Sequence, residues 1–339
     1  MICFLTLNLY AVNLYSTPKL EKSSGQDEIY DPVPNIMHHI ADAHEWHLWG
    51  EGDASFSIPL PVILYTEGHL DVFMSNKFHH GHSKVVKGER IYTIDSHGHI
   101  HEESGLTIID ISITKNVASM LLSVFILLLV LIYVAKRYDK NQNAPNGLQA
   151  FLEPLILFVK KDIIQDNIGV RYEKYTPFLL TVFFFILINN LLGLLPGAAN
   201  VTGNIAVTFV LSVFTFIITS LSGNKNYWGH IFKPPGVPLA LMPIMVPIEI
   251  IGIFTKPFAL MIRLFANISA GHIIILSLIS LIFIAQSSMG DIGAWSVAPV
   301  SVLFVLFIYC IELLVAFLQA YIFTLLSAVF IGLAVAEDH

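Results

Sequence analysis

The sequence predicts an all-α polytopic membrane protein with a small, mostly β extramembrane N-terminal domain. Three observations carry this. Of the 339 residues, 55% are hydrophobic and only 13% charged, with a mean hydropathy of +0.69. A soluble globular chain carries about 25% charged residues. The polar residues are concentrated at one end: residues 1–115 hold seven basic and 15 acidic side chains, and 11 of the 14 histidines lie between His38 and His101. Beyond residue 115, long apolar runs follow one another. Disorder is excluded, because it needs low hydrophobicity and high net charge. Cys3 and Cys310 make neither a disulfide framework nor a zinc signature.

The domain organisation follows from this split: 1–18, 19–115 and 116–339. Residues 2–15, ICFLTLNLYAVNLY, are too short for the ~20 residues that cross hydrocarbon. Their length is that of a signal-peptide apolar region, so residues 1–18 are expected to be an export signal, although a basic flank is missing. In 19–115, IMHHIADAHEWHLW (36–49) predicts a short amphipathic helix bearing His38, His39, His44 and His47. PVILYTEGHLDVFM and RIYTIDSHGHIH each predict a strand pair, with turns at Glu67-Gly68 and Ser96-His97-Gly98. His79, His80 and His82 could converge with His97, His99 and His101 across adjacent strands, and in a strand His97, His99 and His101 share one face, yet histidine spacing alone is a weak metal signal. No metal site and no cofactor are therefore assigned.

The membrane part starts with three ordinary spans, Val117–Ala135, Pro177–Leu195 and Ile205–Leu221. Basic residues follow the first span and recur to Lys174 through a polar stretch (141–175), and again at Lys225 and Lys233. The positive-inside rule places these segments in the cytoplasm and residues 1–115 outside. Two longer segments come next, Val237–Ala285 and Val297–Ala336, separated by the polar Gln286–Trp295. A straight helix of 49 residues measures ~73 Å at 1.5 Å per residue. Hydrocarbon is only ~30 Å thick, so these segments are expected to be strongly tilted helices or hairpins. Pro243, Pro247 and Pro257 offer break points.

The long segments carry the intramembrane charge. Such groups are costly and normally line a water path or pair with another charge. Glu249, Lys256 and Arg263 are seven apart and Asn267 is four further on, which makes one polar stripe on a continuous helix. His272 falls on the opposite face, and Glu312 and Gln319 share a face of the second segment. Arginine does not lose its proton at ordinary pH. It suits a fixed positive barrier, whereas histidine and glutamate suit proton relays.

The run from Glu249 through Lys256-Pro257 and Arg263-Leu264-Phe265-Ala266-Asn267 to Gly271-His272 resembles the signature helix of subunit a of the F-type rotary ATP synthase. IELLVAFLQAYIFTLLSAVFIGLA (311–334) resembles its last helix, and NNLLGLLPGAANVTGNIAVT (189–208) its middle segment. The resemblance implies a proton-conducting stator subunit in a bacterial cytoplasmic (inner) membrane, with its C-terminus in the cytoplasm. The implied partners are the c-ring, the subunit b stalk, the rest of the synthase and the lipid bilayer, with no nucleic acid. Arg263 matches the essential family arginine. Glu249, Asn267, Gln319 and Asn190 match polar pathway positions. His272 and Glu312 stand where many members carry Glu and His, an exchange of partners. Gly193 stands where some members carry an acid. No Walker-type phosphate loop appears, so ATP chemistry is left to partner chains. The alternative reading is a self-contained secondary transporter or channel with a metal-binding outer domain. Such folds usually show an internal repeat, and no second copy of the Arg263 motif is present.

Overall fold

The computed structural model describes residues 32–33, 36, 42–49, 56–81, 83–95, 98–140, 147–195, 197–233, 238 and 241–336. The expected export signal, His38, His39, His82 and His97 lie outside the described residues. The chain divides into two compact units. One comprises Met1–Met120, Gly193–Ala199 and His272–Tyr309, and the other Leu121–Leu192, Asn200–Gly271 and Cys310–His339.

The first unit contains short antiparallel strands β1 (Glu45–Trp49), β2 (Phe56–Pro59), β3 (Pro61–Thr66), β4 (His69–Met74), β5 (Val85–Lys87), β6 (Arg90–Ile94), β7 (Ile100–Glu102) and β8 (Ile108–Asp110). They form three small sheets, ordered β1-β2, β4-β3-β8 and β5-β6-β7. Both expected hairpins are present. The β3–β4 turn holds Glu67 and Gly68 at φ 46° and 87°, the left-handed pair a two-residue hairpin requires. Alternation along β3 and β4 buries Val62, Leu64 and Phe73 with Phe78, Val85, Tyr92 and Ile100. The Tyr92 hydroxyl donates to Asp71 at 2.7 Å, and Arg90 pairs with the same carboxylate at 3.1 Å. The expected helix over 36–49 is overturned at its C-terminal end, because Glu45–Trp49 is strand β1. Two tryptophans in five residues suit a pleated surface, and pairing with β2 satisfies the backbone. The expectation that His97, His99 and His101 share a strand face also fails for His99. It precedes β7 and bonds through its amide to Asp95 at 2.8 Å.

Asp42 joins this β region to the first long helix, α1 (Lys115–Lys140). Its Oδ2 accepts from Thr114 Oγ1 at 2.8 Å and its Oδ1 from the Asn116 amide at 3.1 Å. The Lys115 amide donates to the Ala43 carbonyl at 2.8 Å. First-turn amides with no partner inside the helix are thereby satisfied. Further support comes from Asp110, 2.7 Å from His44. Burial raises the Asp110 carboxyl, but hydrogen bonds from His44 and Ser112 outweigh it and hold the group at about 2.

After α1 come α2 (Leu148–Phe158), a π-helical turn (Val159–Gln165), two single turns (Asp166–Ile168 and Gly169–Arg171) and α3 (Tyr172–Gly193). The stretch 141–175, read from sequence as polar, is thus helical from Leu148 onward. Apart from Pro154, LQAFLEPLILF consists of apolar residues and good helix formers, which the lysines and acids downstream obscured. Then follow α4 (Ile205–Ser222), α5 (Lys225–Phe232) and α6 (Met242–Val335). Among the described residues, four stretches are long and apolar enough to cross a membrane: Lys115–Tyr138, Leu148–Gly193, Ile205–Ser222 and Met242–Val335.

The last element is a helical hairpin. Its one non-helical residue is Gly290, at φ 68° and ψ −162°, a region open in practice only to glycine. Gly293 then approaches so closely that an added Cβ would lie 2.5 Å from the Ala285 carbonyl oxygen. The reversal falls inside the polar stretch that separates the two long segments in sequence. The prolines do not break the first limb. Pro243 sits at the helix start, and helical φ/ψ persists through Pro247 and Pro257. Within a membrane protein, neighbouring groups re-satisfy the carbonyls that proline leaves free.

The second unit has its own core, built around Val159, Ile163, Leu179, Phe183, Leu260 and Ile331. Asn224 closes the end of α6: its amide donates to the Ala334 carbonyl and its side chain to the Val335 carbonyl, both at 2.9 Å. Gly332 lies against the Asn167 carbonyl, where a Cβ has no room, whereas Gly252 faces open space. Gly332→Ala is expected to cost about 1–3 kcal/mol through overpacking against backbone. Gly252→Ala is expected to be neutral or to stabilise by about 0.5–1 kcal/mol through helix propensity. Thermal unfolding of the detergent-solubilised chain distinguishes the two, and equal effects would refute the packing at Gly332.

Candidate functional site

The first limb of α6 has two contrasting faces. Leu260, Leu264 and Ile268, spaced i, i+4, i+8, are buried, the first two within the second unit's core. This spacing places three side chains on one face. The flank of this face is exposed and includes Arg263 and Asn267, about 100° and 60° round the helix from its middle, with the small exposed residues Ala259, Ala266 and Ala270 nearby. The guanidinium therefore sits on an exposed flank beside the packed face. Among the described residues Arg263 has no ion-pair partner, and neither Glu249 nor Glu312 bridges it. The small neighbours let another helix come close, the usual composition of a helix–helix contact in lipid.

Glu249 is half-buried two turns before Lys256 on the same limb. Lys256 lies with its ammonium 5.3 Å from the centre of the Phe330 ring, a cation–π contact. With helical geometry unbroken at Pro257, Glu249, Lys256, Arg263 and Asn267 form the continuous stripe expected from their spacing.

On the second limb, Glu312 and Gln319 are both buried. Glu312 packs directly against Gly271, where a Cβ would collide with its carboxylate. Its Oε2 has no hydrogen-bond partner among the described residues. Small residues, Ala316, Ala320 and Ala328, fill the buried face between and beyond these two polar side chains. Asn190 of α3 reaches the same limb: its Nδ2 donates to the Ala316 carbonyl at 3.0 Å, and its Oδ1 accepts from Thr202 Oγ1 at 2.7 Å. His272 belongs to the first unit, half-buried, with Nε2 lacking a hydrogen-bond partner among the described residues.

Thr202 and Ser269 add polar groups that sequence reasoning did not single out. Ser269 Oγ donates to the Gly203 carbonyl at 3.4 Å. The segment Asn200-Val201-Thr202-Gly203-Asn204 is rich in turn-forming residues, and that was the available signal. Two further hydroxyls, Thr215 of α4 and Ser327 of α6, meet at 3.4 Å. No group of three His, Cys, Asp or Glu side chains suited to a metal ion occurs among the described residues.

Comparison with known proteins places these features in a family. Residues 117–332 match the model of the family described as ATP synthase A chain. Residues 35–117 match a second model, described only as a domain of unknown function. The chain is similar to the ATP synthase subunit a of Chloroherpeton thalassium, with 51% identity over 238 residues, covering 68% of this chain and 69% of the relative. It is 53% identical over 236 residues to that of Chlorobium phaeobacteroides, covering 68% of each. A relative from Anaeromyxobacter, also named ATP synthase subunit a, is 41% identical over 329 residues, covering 93% of this chain and 73% of its own length. None of these supports the alternative of a self-contained transporter.

The Asn190 bridge yields a direct test. Asn190→Leu leaves the Thr202 hydroxyl and the Ala316 carbonyl without this partner and is expected to destabilise by about 1–3 kcal/mol. Thr202→Val should cost less. The double variant should cost clearly less than the two losses added, because the pair shares one interaction. Strict additivity in thermal unfolding would mean that the two side chains do not interact.

Proposed function

The chain belongs to the ATP synthase A chain family, and from this we propose that it is the proton-conducting stator subunit of a bacterial F-type ATP synthase, offering two half-channels to a rotating c-ring. A proton enters one aqueous half-channel and neutralises a ring carboxylate. It travels with the ring and leaves through the other half-channel. The catalytic nucleotide chemistry lies in partner subunits.

The observation that supports this reading most is the outward-facing, unbridged Arg263 on an apolar limb, with small residues beside it. A permanent cation there performs two tasks: it draws each ionised ring carboxylate to the interface and blocks direct proton passage between half-channels. At an effective dielectric of ~20, two unit charges ~4 Å apart attract by about 4 kcal/mol. That suffices to bias an ionised carboxylate without trapping it. In this reading Asn267 and Gln319 supply polar groups near the arginine, Asn190 a polar pathway position on an earlier helix, Glu249 serves the cytoplasmic half-channel, and His272 and Glu312 are titratable relays of the outer one. Subunit b and the remaining synthase subunits hold the chain against the turning ring. The N-terminal region lies on the outer face of the cytoplasmic membrane, and the C-terminus in the cytoplasm.

Two experiments test this. Arg263→Ala should abolish ATP-driven proton pumping in inverted vesicles and ATP synthesis, while leaving hydrolysis partly active. Arg263→Lys should also fail, because lysine lacks the planar fork and can lose its proton when buried. Normal pumping by a correctly assembled Arg263→Ala complex would refute the mechanism. For orientation, cysteines placed at Ser83 and Ser222 should react with a membrane-impermeant reagent from outside and from the cytoplasm, respectively. Outside labelling of the Ser222 variant with protection of the Ser83 variant would reverse the topology.

A further inference from the structure

The β4-β3-β8 sheet has one face in the domain core and one face open, and the open face is apolar. Val62, Leu64 and Thr66 of β3 point inward and are fully buried. On the other face the register lines up two cross-strand rows. Tyr65 stands between Leu70 and Ile109, and Ile63 between Val72 and Ile111. Five of these six side chains are 41–60% exposed; Ile63, at the centre of its row, is partly covered by its neighbours. None is charged, in an N-terminal region whose acidic residues outnumber basic ones by about two to one. A half-exposed antiparallel sheet normally alternates apolar inside with polar outside. Small apolar patches also occur on ordinary surfaces, so what covers this one has to follow from what lies beside it.

The chain itself indicates what covers it. Ile113 continues the face, its amide bonded to the Pro61 carbonyl at 3.1 Å, and α1 starts two residues later. At ~3.5 Å per residue, the Ile111 row is at most ~14 Å of chain from the start of a membrane-spanning helix. At strand spacings the two rows cover on the order of 200–300 Å², far below the ~800 Å² per partner of a stable protein interface. A surface this small suffices for a contact already enforced by a tether, where effective concentration replaces area. Tyrosine is, moreover, a residue of the membrane–water interface.

We propose that the open face of the β4-β3-β8 sheet rests on the lipid surface beside α1, with Tyr65, Leu70, Val72, Ile109 and Ile111 seated at the headgroup–acyl boundary. The recognition is apolar, so it does not depend on anionic lipid and is insensitive to salt.

The test uses the full chain in the intact synthase, reconstituted into phosphatidylcholine vesicles with and without phosphatidylglycerol. An environment-sensitive fluorophore is attached to single cysteines replacing Val72 or Ile109, in a background with both native cysteines replaced. Val86, exposed on β5 of a different sheet, is the control site. With shallow spin-labelled phosphatidylcholine, quenching at Val72 and Ile109 should exceed that at Val86 at least about two-fold, as expected of side chains ~5–10 Å into the interface. It should be unchanged in high salt or with phosphatidylglycerol. Aqueous iodide should quench Val86 most. Iodide quenching at all three sites without lipid quenching would overturn the proposal. Protection of Val72 and Ile109 from both quenchers would also overturn it, in favour of a protein partner or another segment of this chain on the face.

Discussion

Everything proposed for the site depends on how one arginine is aimed. Arg263 cannot shed its charge, and hydrocarbon does not accept an unpaired cation cheaply. The structure fixes the orientation from the side: Leu260 and Leu264 are packed in the core and Ile268 is buried, and Arg263, about 100° round the helix from the middle of that face, projects from its exposed flank. The charge is left without an internal counter-ion among the described residues. A cation kept unpaired by its own fold is stable only if something outside the chain compensates it, which is the condition a rotor carboxylate fulfils.

The same principle shapes the remainder of the membrane part. Each limb of α6 exceeds 40 residues, more than twice the helix length that upright hydrocarbon accommodates. The reversal between the limbs depends on two glycines with different tasks, Gly290 for its backbone conformation and Gly293 for close approach. Buried polar groups on the second limb are placed where small residues make room and where α3 or α4 supplies a partner, as at Asn190 and Ser327. Glu312, like Ser301 and Thr324 of the same limb, keeps a polar atom without a partner among the described residues, and of the three it alone carries an ionisable group.

Much of this was legible in the sequence, for identifiable reasons. Hydropathy located the spans, because hydrocarbon thickness imposes length. Seven-residue spacing predicted the polar stripe, because helical geometry survives at Pro257. Turn residues predicted both hairpins of the N-terminal region. The failures also have causes. Three prolines offered break points in the first limb, but helical geometry persists through Pro247 and Pro257, because neighbouring groups in a membrane protein offset what proline removes. Glu45–Trp49 was read as helical because its histidines and tryptophans fitted that period, and only pairing with β2 decides for strand. The helix beginning at Leu148 was hidden by averaging over neighbouring lysines. Thr202 could not be chosen over other hydroxyls without knowing that Asn190 faces it. The apolar outer face of β3 was written in PVILYT all along, yet a strand apolar on both faces gives no sign of which face the core will take.

The central claim is that the Arg263 face of the first limb lies against a rotor helix. It is tested most directly by disulfide cross-linking in the assembled complex, with cysteine at Ala266 in a chain lacking its native cysteines and a second cysteine one turn from the ring carboxylate. The account predicts rapid cross-linking to the ring and loss of coupled rotation that returns on reduction. No cross-link at Ala266, together with efficient cross-linking from Phe258, an exposed position about 140° round the same limb from Arg263, would contradict it.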